Sequence, residues 1–326
     1  MAKKVRWGIL GLGAIAKRFA QGLTAVPDAS LVAVGSRAKD KAEAFGAEFN
    51  VPRCHGSYEE LARDAEVDVV YVATPHPYHA PNTLLCLESG KAVLCEKPFA
   101  LNAGEAAKMI ESARRRRLFL MEAMWTRFLP AIEQVRRWLA EGAVGEVRMV
   151  TADFGFRAGW NPQSRLLNPE LAGGALLDVG VYTVSMAYMV MGGAPEEVAA
   201  LAEIGQTGVD EQSAMLLKFP GGRLGVLSCA VRTSTPQTAR IDGTDGRIEI
   251  PRFWHATEAT LTAGERKERF EKAHDANGYE YEAREVCRCI LSGKLESNVM
   301  PLDETLSVMK TMDAVRAQWG LKYPGE

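Results

Sequence analysis

The sequence predicts an α/β protein: an N-terminal doubly wound parallel sheet plus a C-terminal α+β domain with a large open, mainly antiparallel sheet. Three observations carry this. Short apolar runs alternate with helical patterns from residue 5 to about residue 121. A glycine-rich turn joins the first apolar run to the first helix. After residue 122 long helices become sparse, and strand-like runs follow one another with turn residues between several of them. Regular alternation of strand and helix gives parallel strands with crossover helices, and the handedness of such crossovers leaves a doubly wound sheet.

Residues 5–10 read as a buried strand and 14–23 as a helix. A second strand at 31–36 precedes a helix at 39–49. A third at 67–73 precedes 80–89, a fourth at 92–95 precedes 103–116, and 118–121 is the fifth. In the second part, 130–140 reads as a helix, 146–156 as a strand and 173–191 as a helix opening with two glycines. Strand-like runs follow at 198–203, 213–219, 223–232, 238–242 and 247–250. The turn signals Pro220-Gly221-Gly222 and Asp242-Gly243-Thr244-Asp245-Gly246 separate some of them. Helices at 279–291 and 303–319 close the chain. The expected division is 1–122 for nucleotide binding and 123–326 for substrate binding and oligomerisation.

Composition excludes several classes. A chain of 326 residues with 47% hydrophobic content supports two cores. A formal net charge of −2 gives no global field for nucleic acid or an anionic membrane. The basic run Arg114 to Arg117 reads as a solvated helix end, where cations complement the dipole. No uninterrupted 18-residue apolar run is evident, so no membrane span is expected. The start, Met1 to Trp7, runs into a strand and does not resemble an export signal. Six scattered cysteines form no Cys-x-x-Cys pair, so neither a zinc site nor a redox dithiol is signalled, and free thiols suit the cytoplasm.

Gly11-Leu12-Gly13-Ala14-Ile15-Ala16 fits Gly-x-Gly-x-x-Ala between a strand and a helix, which is the context of a Rossmann dinucleotide site. The first glycine permits the turn, the second lets a pyrophosphate approach, and the helix N-terminus offers free N–H groups. The second strand ends in Ser36-Arg37, with Lys39 and Lys41 beyond, where an NAD-selective site carries an acid. A hydroxyl and several cations suit a ribose 2′-phosphate, so NADP(H) is expected in preference to NAD(H), which remains possible. Thr74-Pro75-His76-Pro77-Tyr78-His79 follows the third strand, at the ligand edge of such a sheet. No acid or cysteine joins its two histidines, so a cofactor-lining loop is expected there and no metal.

Glu96-Lys97-Pro98 follows the fourth strand on the same edge. Lys97 reads either as a solvated strand end or as an amine aimed into a cleft. Pro98 has a fixed φ and no N–H, which helps hold the turn, and a hydrogen-bonding role suits Glu96.

The glycine turn, the Thr-Pro-x-x-x-His loop and Glu-Lys-Pro, in this order and spacing, resemble the glucose–fructose oxidoreductase / inositol dehydrogenase (Gfo/Idh/MocA) family. "AVLCEKP", "FLMEAMWTRFLP" and "AGGALLDVGVYTV" resemble most its dimeric trans-1,2-dihydrodiol dehydrogenase and NADP-dependent D-xylose dehydrogenase branch. The resemblance spans essentially the whole chain. It implies a Rossmann domain and a C-terminal domain whose open sheet binds substrate on one face and often a partner subunit on the other, hence a homo-oligomer, dimer or tetramer. The family's usual Asp-x-x-x-His reads here Asp178-Val179-Gly180-Val181-Tyr182, so Tyr182 takes the place of the histidine.

The resemblance implies an oxidoreductase acting on a sugar, a cyclic polyol or a trans-dihydrodiol. A tyrosine of pKa ~10 is a weak base near neutrality unless a cation supports its phenolate. Lys97 is the candidate cation, and Asp178, one turn before Tyr182, would orient the lysine or bond a substrate hydroxyl. By resemblance, Trp125, Phe154 and Trp254 line an apolar wall of the pocket. Arg157 and Arg127 would bind hydroxyls, with surface or interface ion pairs as the alternative. Two other functions stay open: reduction of a keto-sugar of the anhydrofructose type, and a dinucleotide sensor without turnover.

Overall fold

The structure is a computed structural model that describes residues 4–326. Met1 to Lys3, on which the reading of the chain start partly falls, lie outside the described residues. Two compact units form, and both are discontinuous in sequence. The first takes Met1–Ala100, Gly104–Trp125 and Asp275–Thr305; the second takes Leu101–Ala103, Thr126–His274 and Leu306–Glu326. A single cut at 122/123 misses the return of 275–305, because periodicity identifies a helix but not the core it joins.

In the first unit β1 (Val5–Leu10), α1 (Ala14–Leu23), β2 (Ala29–Gly35), α2 (Lys39–Phe49), β3 (Arg53–His55), α3 (Tyr58–Arg63), β4 (Val69–Val72), α4 (His79–Glu88), β5 (Ala92–Glu96), α5 (Ala103–Arg116) and β6 (Leu120–Ala123) follow in order. The sheet order is β3-β2-β1-β4-β5-β6, and every pairing is parallel. The chain runs outward from β1 to β3, then returns to β4 on the other side of β1. That reversal opens a crevice at the carboxyl ends of β1 and β4. β4 (VVYV) and β5 (AVLCE) are buried throughout, as strands covered on both faces must be. The sheet has six strands where five were expected. The extra one, β3, is Arg-Cys-His, too short and polar to show a period.

The second unit holds α6 (Pro130–Ala140), β7 (Val147–Gly155), α7 (Val181–Met191), β8 (Glu197–Ile204), β9 (Asp210–Phe219), β10 (Arg223–Ala230), β11 (Ala239–Gly243), β12 (Arg247–Ile250), β13 (Glu258–Ala263) and β14 (Arg266–Glu271). Its eight-stranded sheet has the order β14-β13-β12-β11-β7-β10-β9-β8; β7 and β10 pair in parallel and the other pairings are antiparallel. Met215, Leu217 and Phe219 of β9 are buried, while Leu216 between them is 56% exposed. One face of the sheet is therefore covered and the other lies open.

The expected helix from 173 is helical only from Leu176. Leu176–Gly180 forms a π turn that runs directly into α7. Pro169–Met191 is long and apolar enough to cross a membrane, an 18-residue stretch within it having a mean hydropathy of 1.4, contrary to the expectation that no such segment exists. Of that stretch 89% is buried in the protein, and a helix apolar on all sides belongs in a core. α8 (Tyr279–Leu291) and α9 (Leu302–Trp319) complete the chain.

Candidate active site

The glycine turn is built as a cradle. Gly11 has φ +90°, and a Cβ there would come within 2.9 Å of Thr74 Cγ2 and 3.0 Å of the Ala73 main chain. A side chain at this point would close the space between β1 and β4, so glycine is required. A Cβ at Gly13 would meet no atom within 4 Å, so the surface beside it is open. Gly13 is the N-cap of α1, no side chain caps it, and no acid lies in the first turn. The N–H groups at the head of α1, with Ala14 exposed and Ile15 half-buried, are left for an anion. A dinucleotide pyrophosphate fits this site.

At the end of β2, Ser36 is buried, its N–H donates to His55 O and its hydroxyl accepts from the Ala38 N–H at 3.3 Å. Arg37 and Lys41 are exposed; burial raises the pKa of the Tyr58 phenol, and Arg37 beside it offsets only part of that rise. Lys39 donates to the Cys54 carbonyl, which ties this cation to the fold.

After β4, Thr74 is buried and its hydroxyl accepts from Asn82 Nδ2 at 3.2 Å; Pro75 is exposed and His76 buried. His79 Nδ1 lies 2.7 Å from Pro98 O and Nε2 2.7 Å from Thr74 O. Two carbonyl partners favour a doubly protonated ring. Burial works harder in the other direction and, with the Lys97 charge nearby, pulls the pKa down to about 4. The neutral ring donates to one carbonyl at a time. His79 thus ties the Thr74 loop to the Glu-Lys-Pro turn, and neither nitrogen is directed at a ligand. No group of three metal-binding side chains occurs among the described residues.

Glu96 is buried beneath Lys97. Its carboxylate accepts from the Tyr71 hydroxyl and, at 3.1 Å, from the Lys97 N–H. This fixes the main chain from which the lysine projects. Burial and the Glu96 charge raise the pKa values of Tyr71 and Glu282 well above their ordinary ranges, so both are held neutral. Trp125 also belongs to this unit; it is 2% exposed and stacks on Tyr279 with ring centroids 4.5 Å apart.

In the second unit, Asp178 sits in the π turn and Tyr182 at the start of α7. Both are buried. Arg165, 13 residues before Asp178 in a loop, donates from Nη1 to Asp178 Oδ1 at 2.7 Å; its side chain is 58% exposed and that of Asp178 5%. Tyr182 packs edge-on against Phe154, which also stacks on Trp254 at 4.9 Å and meets Phe156 and Phe253 edge-on. The Trp254 indole N–H donates to Gln237 Oε1 at 2.8 Å, and Gln237 Nε2 donates to Gly155 O at 2.8 Å. Gln237 has φ +62°, an uncommon conformation held by its N–H bond to Asp153 Oδ2 at 2.7 Å.

The second unit therefore gathers Asp178, Tyr182, Phe154 and Trp254. The first gathers the glycine turn, the His79 loop, Glu96 and Lys97, and also Trp125. Arg157 is exposed and bridges the main chain of Arg232. Arg127 differs from expectation: it is 3% exposed and donates to Ser185 Oγ at 3.0 Å and Ser185 O at 2.7 Å, so it anchors α7. Sequence reasoning missed Arg165 and Gln237. Both sit in irregular segments with no motif, and only the fold sets their partners.

A glycine cradle at the reversal point of a parallel sheet, joined in one chain to a wide mixed sheet, puts this protein among the dinucleotide-dependent oxidoreductases. Residues 5–124 match the model described as the oxidoreductase family, NAD-binding Rossmann fold, and residues 132–249 match the GFO/IDH/MocA C-terminal domain. The chain belongs to the GFO/IDH/MocA oxidoreductase family. It is 41% identical to the trans-1,2-dihydrobenzene-1,2-diol dehydrogenase of Mus musculus and 39% to that of Homo sapiens, each alignment covering 98% of both chains. Among solved structures it resembles the aldose-aldose oxidoreductase of Caulobacter crescentus complexed with glycerol (TM-score 0.89, 27% identity, 98% of both chains). It also resembles KijD10, a 3-ketoreductase of Actinomadura kijaniata in complex with NADP and TDP-benzene (TM-score 0.86, 28% identity, 97% of this chain and 98% of that one).

Proposed function

We propose that this protein is an NADP-dependent dehydrogenase that oxidises a hydroxyl of a trans-dihydrodiol, a cyclic polyol or a sugar. The observation that carries the reading is the Asp178–Tyr182 pair on one helix beside an aromatic wall of Phe154 and Trp254, in a chain that also holds Lys97 at the ligand edge of its nucleotide sheet.

The coenzyme, when bound, accepts the hydride in one direction and gives it in the other. The N–H groups from Gly13 to Ile15 hold its pyrophosphate, and Ser36, Arg37 and Lys41 favour a 2′-phosphate. Thr74, Pro75 and His76 line its crevice, while His79 and Glu96, buried and bonded within the fold, hold that edge in shape. Tyr182 takes the hydroxyl proton of the substrate during oxidation and returns it during reduction. Lys97 supports the phenolate by charge, since a nearby cation favours the ionised form. Asp178, paired with Arg165, accepts a hydrogen bond from a substrate hydroxyl. Trp254 and Phe154 stack against the apolar face that cyclic diols and sugar rings share, and Arg157 meets a peripheral hydroxyl; Trp125, expected in that wall, is instead buried against Tyr279. The reverse reaction, reduction of a keto-sugar, uses the same groups, and the likeness to a 3-ketoreductase favours keeping it as the second reading.

The open sheet face supports a homo-oligomer, dimer or tetramer. By strand register Leu201, Leu216 and Leu224 share that face, and they are 82%, 56% and 39% exposed. Six free cysteines support a cytoplasmic setting.

The test is NADPH and NADH formation from a panel of trans-dihydrodiols, inositols and aldoses. The proposal expects turnover with at least one class and higher kcat/KM with NADP⁺. A tenfold preference for NAD⁺ removes the coenzyme assignment, and absence of turnover in both directions removes the reading.

A further inference from the structure

We infer that Asp210 is a positioning residue, whose carboxylate seated on the N–H of Leu176 holds the helix of Asp178 and Tyr182 in its working register. The inference rests on the proposed roles of Asp178 and Tyr182, which neither the motif nor the comparisons extend to Asp210.

Asp210 opens β9 and is 0% exposed. Its Oδ2 accepts from the Leu176 N–H at 2.7 Å. Leu176 is the first residue of the π turn that continues as α7, so the carboxylate sits at the N-terminus of a 16-residue helical run. A negative charge there is favoured by the helix dipole and by the N–H groups the first turn leaves unpaired. The chain makes room for it. Gly174 has φ +119°, and a Cβ on it would lie 2.1 Å from Asp210 Oδ1. Oδ1 has no hydrogen-bond partner.

A buried carboxylate bonded through one oxygen is poised between two states. Burial pushes its pKa up to about 7; the N–H groups of Leu176, Ala175 and Asp210 itself and the charge of Arg316 oppose this. The titratable neighbours are Arg316 on α9, Tyr323 in the C-terminal segment and Cys229 on β10. Tyr323 and Cys229 are kept neutral by burial. Above about pH 7 the anion grips the helix N-terminus. Below it the neutral carboxyl loses the charge that favours the helix, and the register of Asp178 and Tyr182 relaxes.

The stability consequence has a definite sign. An acid whose folded-state pKa is raised binds more protons folded than unfolded between its ordinary pKa and the raised value. Its contribution is therefore most favourable below about pH 4, falls as pH rises to about 7, and is flat beyond. Positioning and stability thus pull in opposite directions at this residue.

The test is Asp210→Asn, which keeps an acceptor for Leu176 and removes the charge. Three readouts are compared with wild type: the pH dependence of kcat, the pH dependence of the melting temperature, and amide hydrogen exchange over residues 176–182. In wild type, kcat should fall on the acid side of about pH 7 and exchange protection should weaken with it. In Asp210→Asn that limb should vanish, kcat at pH 8 should drop about tenfold, and KM for the coenzyme should stay unchanged. The decline in melting temperature between about pH 4 and 7 should also flatten. Wild-type kcat at every pH with unaltered protection overturns the inference. Tyr182→Phe, assayed alongside, separates the two readings: if it keeps full turnover the catalytic reading fails, whereas exchange and melting still decide the role of Asp210. Should Asp210→Asn fail to fold, wild-type exchange alone is decisive, and protection independent of pH after correction for intrinsic rates refutes the inference.

Discussion

Arg165 and Asp178 form a pair of unequal burial, a half-solvated guanidinium over an enclosed carboxylate. The exposed guanidinium gains little by itself, but its loss would remove one charged partner from the enclosed Asp178 carboxylate. Arg165→Met should therefore lower unfolding stability by about 1–2 kcal/mol, discounted for the exposed partner. It should also cut kcat/KM for a diol substrate, measured by denaturant titration and initial rates; no change in either contradicts the role given to the pair. Gln237 acts differently, by fixing the tilt of the Trp254 ring. Gln237→Leu should raise substrate KM about three- to tenfold with little change in kcat, the pattern of lost uniform binding. The residue level was only partly legible in the sequence. Gly11 and Gly13 could be read because a strand-to-helix turn over a phosphate needs glycines at that spacing. Lys97, Asp178 and Tyr182 were singled out through the family resemblance, and their roles are those proposed above. Arg165 and Gln237 could not be read, since each owes its task to a loop path.

The helical run from Leu176 is an element shaped by its glycines. Gly180 lies where a Cβ would come within 2.9 Å of Cys229 Sγ and 3.0 Å of Leu176 Cδ1, so β10 approaches the π turn closely. Gly180→Ala should cost about 1–3 kcal/mol by overpacking, read as a lower denaturation midpoint at unchanged slope; a wild-type midpoint contradicts that packing. Gly173 and Gly174, read from the sequence as the opening of the helix, instead shape the turn before it. A Cβ at Gly173 would lie 2.7 Å from Leu166 O. Five of the six parallel strands of the first sheet were legible because burial makes them largely apolar runs; β3, short and polar, was not. Nor was β14. Its Arg-Lys-Glu-Arg-Phe-Glu pairs with β13 partly through charge, Arg269 Nη2 meeting Glu258 Oε2 at 2.7 Å, and a charged edge strand shows no apolar alternation.

At the scale of the molecule, fold class followed from the strand–helix rhythm, whereas the interleaving of the two units depended on long-range packing that no local pattern encodes. Belonging to the GFO/IDH/MocA oxidoreductases, the chain carries a nucleotide unit and a second unit whose sheet leaves Leu201, Leu216 and Leu224 exposed on one face. Leu216→Glu should shift the protein to a smaller species in light scattering while leaving the melting curve of the dilute protein nearly unchanged; an unchanged mass contradicts assembly through that face. The central claim concerns the proton, and it is tested most directly by the rate of NADPH formation in Tyr182→Phe at saturating substrate, with coenzyme binding followed in parallel. The account predicts a fall in kcat of about 10²–10⁴-fold with coenzyme affinity unchanged. A Tyr182→Phe enzyme that turns over at the wild-type rate would contradict it.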